Sequence, residues 1–337
     1  MAIVSKPNKK KCPEKEVIGR RRFGKSSCFL CGRQMRDPNY TDEHIFPKWL
    51  QNRFQLWNQN IILLNHTTIR YRQLKVPCCQ SCNNDHLSSI ENRMVAAIEK
   101  GPQAVRLMPE IDIYLWIGKI FFGILYKEYL LTHDRGKPRS KPIISRKFLG
   151  NFDLQHVYLQ AARVPIKFHG RPSSVFVFEL QVHSDYKYQF NYWDSLHMIA
   201  TCRIGNVGIM AVFADGGIIK DLLEPVFSEY YSIALHPLQF EELTARLFYS
   251  VMRLQRTAKS ITIESPSGEV VSITRAPGLS LKPWFGPWVI EDYARVLGYM
   301  LKLPLELVFH PPDELYTLLK NEKGAFNKMD VNDGNWP

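Results

Sequence analysis

The chain has 337 residues, of which 45% are hydrophobic and 23% charged, and its formal net charge is +12. These values are typical of globular proteins, so they exclude a wholly disordered chain and a collagen-like repeat. The N-terminus lacks the apolar segment of a secretory signal, and the longest apolar stretch, 113–126, is shorter than the ~20 residues of a membrane span. We therefore expect a cytoplasmic protein that does not enter a membrane.

The positive charge is concentrated at the N-terminus. Residues 1–100 hold 18 Lys or Arg against 8 Asp or Glu, whereas residues 101–337 hold 26 against 24. We interpret residues 1–26, which contain two runs of three basic residues, as a flexible basic arm. Such arms are typical of proteins that bind a polyanion, and the alternative is a tail that only improves solubility.

Two Cys-x-x-Cys pairs follow the arm. They consist of Cys28, Cys31, Cys79 and Cys82. Four thiolates are the ligand set that zinc prefers, and such a set leaves no open coordination position, so the spacing predicts a structural zinc ion. Cys78 has no partner at the same spacing because residue 81 is Ser, so we expect it to be a free core thiol.

The segment between the pairs contains Glu43 and His44 in the run Thr-Asp-Glu-His-Ile-Phe-Pro. At the end of a strand, the carboxylate can bind a divalent cation while the imidazole addresses a water molecule beside it. The predicted helix after Cys82 carries Asn83 and His86, which lie three residues apart and hence on one face. Either side chain could complete the cation site.

This combination resembles the HNH, or ββα-metal, endonucleases, in the variant with two zinc knuckles. The first knuckle here is the pair Cys28 and Cys31, and the second is the pair Cys79 and Cys82. The run from Glu43 to Pro47 is similar to the family's acidic-His-x-x-Pro signature, and the run from Cys79 to Asn83 is similar to its knuckle-then-ligand signature. The resemblance covers about residues 27–95. It implies a small zinc-bound ββα-metal domain, to which we assign residues 27–105, and we expect the remaining residues, 106–337, to form a larger mixed α+β domain.

The resemblance also implies roles for single residues. His44 would be the general base, and Glu43 and Asn83 would hold a Mg²⁺-type cation, with His86 as the alternative helix ligand. Glu43 departs from the family because Asp is commoner there. The family's middle asparagine would be Asn58, Asn60 or Asn65, of which we favour Asn65. Contacts to nucleic acid are expected from Arg70 and Arg72, on a predicted second strand, from Lys75 near its end, and from Lys48.

The function that follows is hydrolysis of phosphodiester bonds in nucleic acid, with DNA as the expected substrate. The alternative is a zinc-dependent nucleic-acid-binding module that no longer cleaves. The sequence favours the enzyme, because a degenerate copy would be expected to lose His44 or its acidic neighbour. HNH domains joined to unrelated domains occur in phage defence and mobile elements, which is an analogy of architecture only.

Residues 106–337 carry no recognisable motif, so targeting, partner binding or regulation are all possible roles for them. The pattern predicts helices over 110–131, 237–254, 289–301 and 313–320. It predicts strands over 156–164, 174–182, 197–204, 207–213, 260–263 and 270–274, with a hairpin turn at 205–206. These elements do not alternate as βαβ units, so the sequence predicts an α+β fold.

Overall fold

The computed structural model describes residues 23–35, 39–134, 136–137, 139–267, 269–275 and 281–333. These residues form a mixed α+β structure, as predicted. Most of the basic arm predicted over residues 1–26 lies outside the described residues. Within the described ranges, no helix combines the length and the apolar character that crossing a bilayer requires.

The N-terminal part is built on an antiparallel pair of strands. Strand β1, Tyr40–His44, pairs with β4, Lys75–Cys79, so that His44 lies opposite Lys75. The connection between them contains helix α1, Lys48–Arg53, and a small hairpin of β2, Asn60–Ile62, and β3, Thr68–Arg70. The predicted second strand is therefore two strands, β3 and β4, because the chain makes a helical turn over Tyr71–Gln73.

A helix follows the strand pair directly. It begins as a wide π-helical turn, Cys82–Leu87, and continues as α2, Ser88–Lys100. Gly101 ends it with a φ of 96°, a conformation that favours glycine, and a short helix α3, Pro102–Arg106, comes next. The chain thus continues from β4 into a helix, whereas α1 and the β2–β3 hairpin separate β1 from β4 along the sequence.

Helix α4, Glu110–Leu130, runs through the interior of the molecule. Every residue from 113 to 126 is buried, so the helix is covered on all sides rather than along one stripe. Its backbone passes close to the ββα unit, since a Cβ added at Gly123 would lie 3.1 Å from Cγ1 of Ile45. One hydrophobic cluster spans from Cys28 through α4 to Phe213, so packing crosses the domain boundary predicted near residue 105.

Helices α5, Arg146–Leu149, and α6, Asp153–Leu159, follow α4. The strand predicted over 156–164 is wrong, because most of this segment is helical. Nε2 of His156 is 2.8 Å from the carbonyl oxygen of Phe29, and Nε2 of Gln160 donates to that of Leu30 at 2.9 Å. The buried face of α6 therefore carries polar side chains at positions i and i+4, which contact the first zinc knuckle. Because these residues are polar, the spacing of apolar residues alone does not show the helical period. Strand β5, Ile166–His169, comes next.

A five-stranded sheet forms the centre of the C-terminal part. Its strands are β6, Ser174–Leu180; β7, Phe190–Ser195; β8, Ile199–Ile204; β9, Val207–Val212; and β10, Ala234–Leu235. They are ordered β10-β6-β9-β8-β7, with only β10 parallel to its neighbour. The predictions of β6, β8, β9 and the turn at 205–206 are confirmed, whereas β7 and helix α7, Ile218–Phe227, had no predicted counterpart.

The last third of the chain contains helices that pack on this sheet and a hairpin that joins β5 in a separate three-stranded sheet. It contains α8, Pro237–Arg253; the hairpin β11, Lys259–Glu264, and β12, Val270–Arg275; α9, Ile290–Leu301; α10, Leu305–Val308; and the short strands β13, Phe309–His310, and β14, Glu314–Leu315. The first four of these elements are as predicted. The helix predicted over 313–320 is wrong, because Glu242 of α8 accepts hydrogen bonds from the Thr317 hydroxyl and the Leu318 amide and holds that segment open.

Candidate functional site

The four predicted cysteines meet at one point. The Sγ atoms of Cys28, Cys31, Cys79 and Cys82 all lie within 4.8 Å of one another. The Sγ atoms of Cys31 and Cys79 are 3.8 Å apart. Tetrahedral zinc with bonds of about 2.3 Å to sulfur requires sulfur atoms about 3.8 Å apart, so the cluster fits a zinc ion. The prediction of a four-cysteine metal site is confirmed to this extent.

Local backbone structure positions the four sulfurs. Cys79 ends β4 and Cys82 begins the helical turn, while Cys28 and Cys31 lie on a tight turn before β1. This turn is joined to β4, because the Phe29 amide donates to the Pro77 carbonyl at 2.8 Å. Burial raises the pKa of the Cys28 thiol, so a thiolate there needs a cation among the sulfurs. The zinc ion would therefore fix the knuckle, strand and helix to one another.

Cys78 lies beside the cluster but outside it. Its thiol is buried and free, and its Sγ is 3.8 Å from that of Cys28. Its Sγ is not among the four that lie within 4.8 Å of one another. This agrees with the core role predicted for Cys78 and leaves the four-cysteine group as the ligand set. Cys12 lies outside the described residues.

Glu43 is engaged by a lysine. Nζ of Lys119, on α4, lies 2.5 Å from Oε1 of Glu43 and 3.1 Å from the carbonyl oxygen of His44, and it also binds Oε1 of Glu91 on α2. Burial raises the pKa of Glu43 and opposes ionisation of Lys119, but the two carboxylates outweigh burial at Lys119 and raise its pKa overall. An ammonium group thus occupies the position beside Glu43 at which the resemblance implies a divalent cation.

His44 has a different environment. Its ring is half-buried and stacks on that of Trp57, with ring centroids 5.9 Å apart and planes 27° apart. Nε2 of His44 is buried and has no hydrogen-bond partner among the described residues. Burial and the charges of Lys75, Lys48 and Lys119 lower the pKa of His44 to about 4, so the imidazole is neutral at physiological pH and is a weaker base than a free imidazole.

The other two predicted cation ligands have separate surroundings. The side-chain amide of Asn83 donates to Oγ1 of Thr41 at 3.0 Å and to the Asp42 carbonyl at 3.4 Å, which ties the helix to β1. His86 instead lines a cleft of about 320 Å³ together with Arg93 and Asp112, which form an ion pair at 2.8 Å. Glu43, Asn83 and His86 therefore each contact different neighbours.

A cation site built from these three residues is thus not apparent. Across the parts of the chain that the structure describes, the four cysteines are the only group of three or more His, Cys, Asp or Glu residues whose ligand atoms lie close enough to share an ion. The carboxylate of Glu43 is already neutralised by Lys119, so it does not fit the role of a metal ligand in this arrangement. Catalytic Mg²⁺ remains a prediction.

The predicted nucleic-acid contacts divide into two groups. Lys75 lies opposite His44 in the β1–β4 pair, and Lys48, which is exposed, begins α1 four residues after His44. Arg70 is exposed at the end of β3, and Arg72 donates to the side chain of Asn58. Asn65, which we favoured as the family's middle asparagine, contacts other parts of the chain. Its side chain binds Thr67 and the carbonyl of His133 and so stabilises a turn.

Sequence reasoning missed three residues around the strand end. Lys119 and Glu91 enclose Glu43, and Trp57 covers one face of the His44 ring. Lys119 left a signal in the sequence, because it is a charged residue inside the longest apolar stretch, and buried charges require partners. Its partner on β1 lies 76 residues earlier in the chain, and no spacing rule reaches that far.

Comparisons of the chain with protein families, with curated proteins and with solved structures gave no match. Any functional assignment therefore depends on the geometry and on the sequence motifs themselves.

Proposed function

We propose that this chain is a nuclease of the HNH type, which hydrolyses phosphodiester bonds in nucleic acid, with DNA as the first substrate to test. The observation that carries the proposal is Nε2 of His44, which is buried, lacks a hydrogen-bond partner among the described residues, and belongs to the last residue of β1, where the ring stacks on Trp57. A buried nitrogen of this kind requires an acceptor or donor from outside the protein, and the proposal assigns it a water molecule.

Each neighbour of His44 would have a defined task. His44 would take the proton from the attacking water, since its imidazole is neutral. Lys48 and Lys75 would attract the phosphate that is cleaved. Arg70 and Arg72 would contact the nucleic-acid backbone further along the bound strand. The zinc cluster would hold β1, β4 and the helix in register and would take no part in the reaction, because four thiolates leave no open position.

The divalent cation needs separate treatment. The resemblance implies Mg²⁺ at Glu43, with Asn83 or His86 from the helix, but the bond from Lys119 to Glu43 does not fit that role. The roles given to His44, Lys48 and Lys75 do not depend on that ion. Whether cleavage requires Mg²⁺ is tested in the plasmid experiment by varying the Mg²⁺ concentration.

One observation favours a second function. The ion pair of Glu43 with Lys119 removes the carboxylate on which the family's cation would depend, as expected of a unit that binds nucleic acid without cutting it. The basic character of residues 1–100 is retained in both cases, so binding alone does not separate the two functions.

Incubation of the full chain with supercoiled plasmid, at a series of Mg²⁺ concentrations that includes zero, separates them. We expect nicked or linear plasmid from the native protein and a loss of about 10²–10⁴-fold in rate for His44→Ala, because the general base is removed. His310→Ala, which replaces an exposed histidine on β13, is the control and should cleave normally. Plasmid that is bound but intact at every Mg²⁺ concentration would select the non-cleaving module.

A further inference from the structure

A cavity of about 510 Å³ lies in the C-terminal part, at the edge of the five-stranded sheet. Its walls come from β7 and β8, from the start of α8 and from the end of α9. Small-molecule sites have volumes of about 300–1,000 Å³, so the cavity is large enough for a ligand. No part of the proposed nuclease site lies in its walls.

Arg203, on β8, lines this cavity and is only 7% exposed. It lies opposite Asn191 of β7 and Gly208 of β9. Its Nε is buried without a hydrogen-bond acceptor, and no carboxylate among the described residues lies within 4.0 Å of its guanidinium. Arginine is very seldom buried unless it is paired, so this guanidinium stands out.

The nearest candidate partner within the cavity is already occupied. Glu241, on α8, accepts a hydrogen bond from the Asn191 amide on Oε1 and another from the Trp193 indole on Oε2, each at 2.8 Å. Two neutral donors thus hold the carboxylate, and it affects Arg203 only through its field. Arg203 therefore offers donors to the cavity that no side chain in the wall accepts.

The remaining lining indicates what the ligand is. The charged residues of the wall are Arg203, Lys187 and Lys302 against Glu241; Lys187 pairs with Asp185 at 3.3 Å, which leaves an excess of one positive charge. Tyr188 and Trp193 add aromatic surface, and the indole of Trp193 is fixed by its bond to Glu241. A guanidinium prefers planar or tetrahedral oxyanions, which it can bind through two donors at once.

We propose that this cavity binds a small organic anion, whose phosphate or carboxylate group pairs with Arg203 and whose aromatic ring packs against Tyr188 or Trp193. The proposal is independent of the nuclease function and stands if that function fails. Arg203 is then the residue on which the affinity depends most, while Lys302 at the exposed rim contributes attraction of longer range.

Thermal unfolding of the full chain with individual probes tests the proposal. The probes are the four nucleoside monophosphates, benzoate and inorganic phosphate at millimolar concentration, with adenosine and benzamide as the uncharged counterparts. A ligand that binds only the folded state raises Tm with concentration. We expect at least one ring-bearing anion to do so and its uncharged counterpart not to. The phosphate and carboxylate arms identify which anionic group the protein prefers.

Two variants locate the effect. Arg203→Met should abolish the ligand-dependent rise in Tm, while its Tm without ligand stays equal to or above that of the native protein, because a buried unpaired charge has been removed. Lys302→Met, at the exposed rim, should fold normally and bind roughly two- to fivefold more weakly. Lys323→Met, which is exposed and does not line the cavity, is the control and should bind like the native protein.

Three outcomes would overturn the proposal. The first is that no probe raises Tm. The second is that inorganic phosphate alone gives the same rise as the best nucleotide, since no ring contact would then be involved. The third is that Lys302→Met and any folded Arg203 variant keep native affinity for a bound probe, which would place the ligand elsewhere.

Discussion

Two buried charged residues, Glu43 at the end of β1 and Arg203 on β8, differ in whether a partner of opposite charge binds them. Glu43 on β1 is neutralised at contact distance by Lys119, which a second carboxylate, that of Glu91, also binds. Arg203 on β8 shares a cavity with Glu241, yet neutral donors occupy that carboxylate. A motif draws attention to Glu43, whereas nothing in the sequence around Arg203 does.

The difference teaches that a motif identifies residues but not their partners. A buried ion is retained only where its desolvation is offset, either within the fold or by a ligand. At Glu43 the fold provides the offset, so this residue acts in the structure as a contact between β1, α2 and α4. At Arg203 the fold provides little of it, and a ligand is the remaining source.

The largest test of this comparison removes a zinc ligand. Cys79→Ser should unfold the N-terminal part, because the binding free energy of a structural zinc ion, of the order of 10 kcal/mol or more, is folding free energy. Zinc per chain from elemental analysis and the urea midpoint of unfolding are the two measurements. Cys78→Ser changes the adjacent buried cysteine and should keep the zinc. Native protein without zinc would refute the four-cysteine site.

A second test removes the ammonium group of Lys119, which binds Glu43 of β1. Lys119→Met leaves the buried Glu43 beside the partly exposed Glu91 without a cation, and we expect a loss of about 3–5 kcal/mol in the free energy of unfolding. Combining it with Glu43→Gln and Glu91→Gln should recover much of that loss, since no buried charge would remain. Lys100→Met, at the exposed end of α2, should change the stability by less than about 0.5 kcal/mol. A loss below about 1 kcal/mol for Lys119→Met would mean that the two carboxylates are not held by this lysine alone.

The smallest expected effect concerns Glu128, a buried carboxylate on α4. Oε1 of Glu128 accepts from the Leu64 amide at 2.8 Å, whereas Oε2 is buried without a partner among the described residues. Burial raises the pKa of Glu128 to about 7, against the opposing effect of that amide. The folded protein therefore binds this proton more tightly than the unfolded chain does, so its stabilising effect is complete below about pH 4.5 and disappears as the pH rises through 7.

The measurement compares the pH dependence of native protein and Glu128→Gln. The native protein should lose up to about 3 kcal/mol of stability between pH 4.5 and 8 through this one group, and Glu128→Gln should lack that contribution. Urea midpoints at pH 5 and pH 8 suffice. Equal pH dependence in both proteins would mean that Glu128 ionises as a solvated carboxylate does.

The parts of the fold that follow local rules were predictable. The cysteine spacing predicted which four sulfurs come together, Gly205 and Asn206 predicted the turn between β8 and β9, and the spacing of apolar residues predicted α4 and α8. Each of these depends on residues close in sequence or on a metal-ligand set that can be recognised from its spacing. The roles assigned to Glu43, Asn83 and His86 came from the resemblance, and they stay predictions.

The errors have a common physical cause. Helix α6 was mistaken for a strand because its buried face carries His156 and Gln160, whose partners are carbonyl groups about 130 residues away. The segment 313–320 was mistaken for a helix because the carboxylate that holds it open, Glu242, lies on α8. The partner of Glu43 is equally remote. Long-range polar contacts leave almost no local trace, and they are the contacts that decide both sites.

The contact between α6 and the first zinc knuckle also has a consequence for protein synthesis. The carbonyl groups of Phe29 and Leu30 receive their partners only after His156 and Gln160 have left the ribosome. Because chains fold as they emerge, the four cysteines can bind zinc once Cys82 has emerged, and the outer surface of the Cys28–Cys31 turn then stays open until His156 follows about 74 residues later. Ribosome-arrested chains ending before α6 should therefore be cut by protease near residue 30, and chains extending well past residue 160 should resist. Equal protection in both would show that the knuckle is complete before α6 arrives.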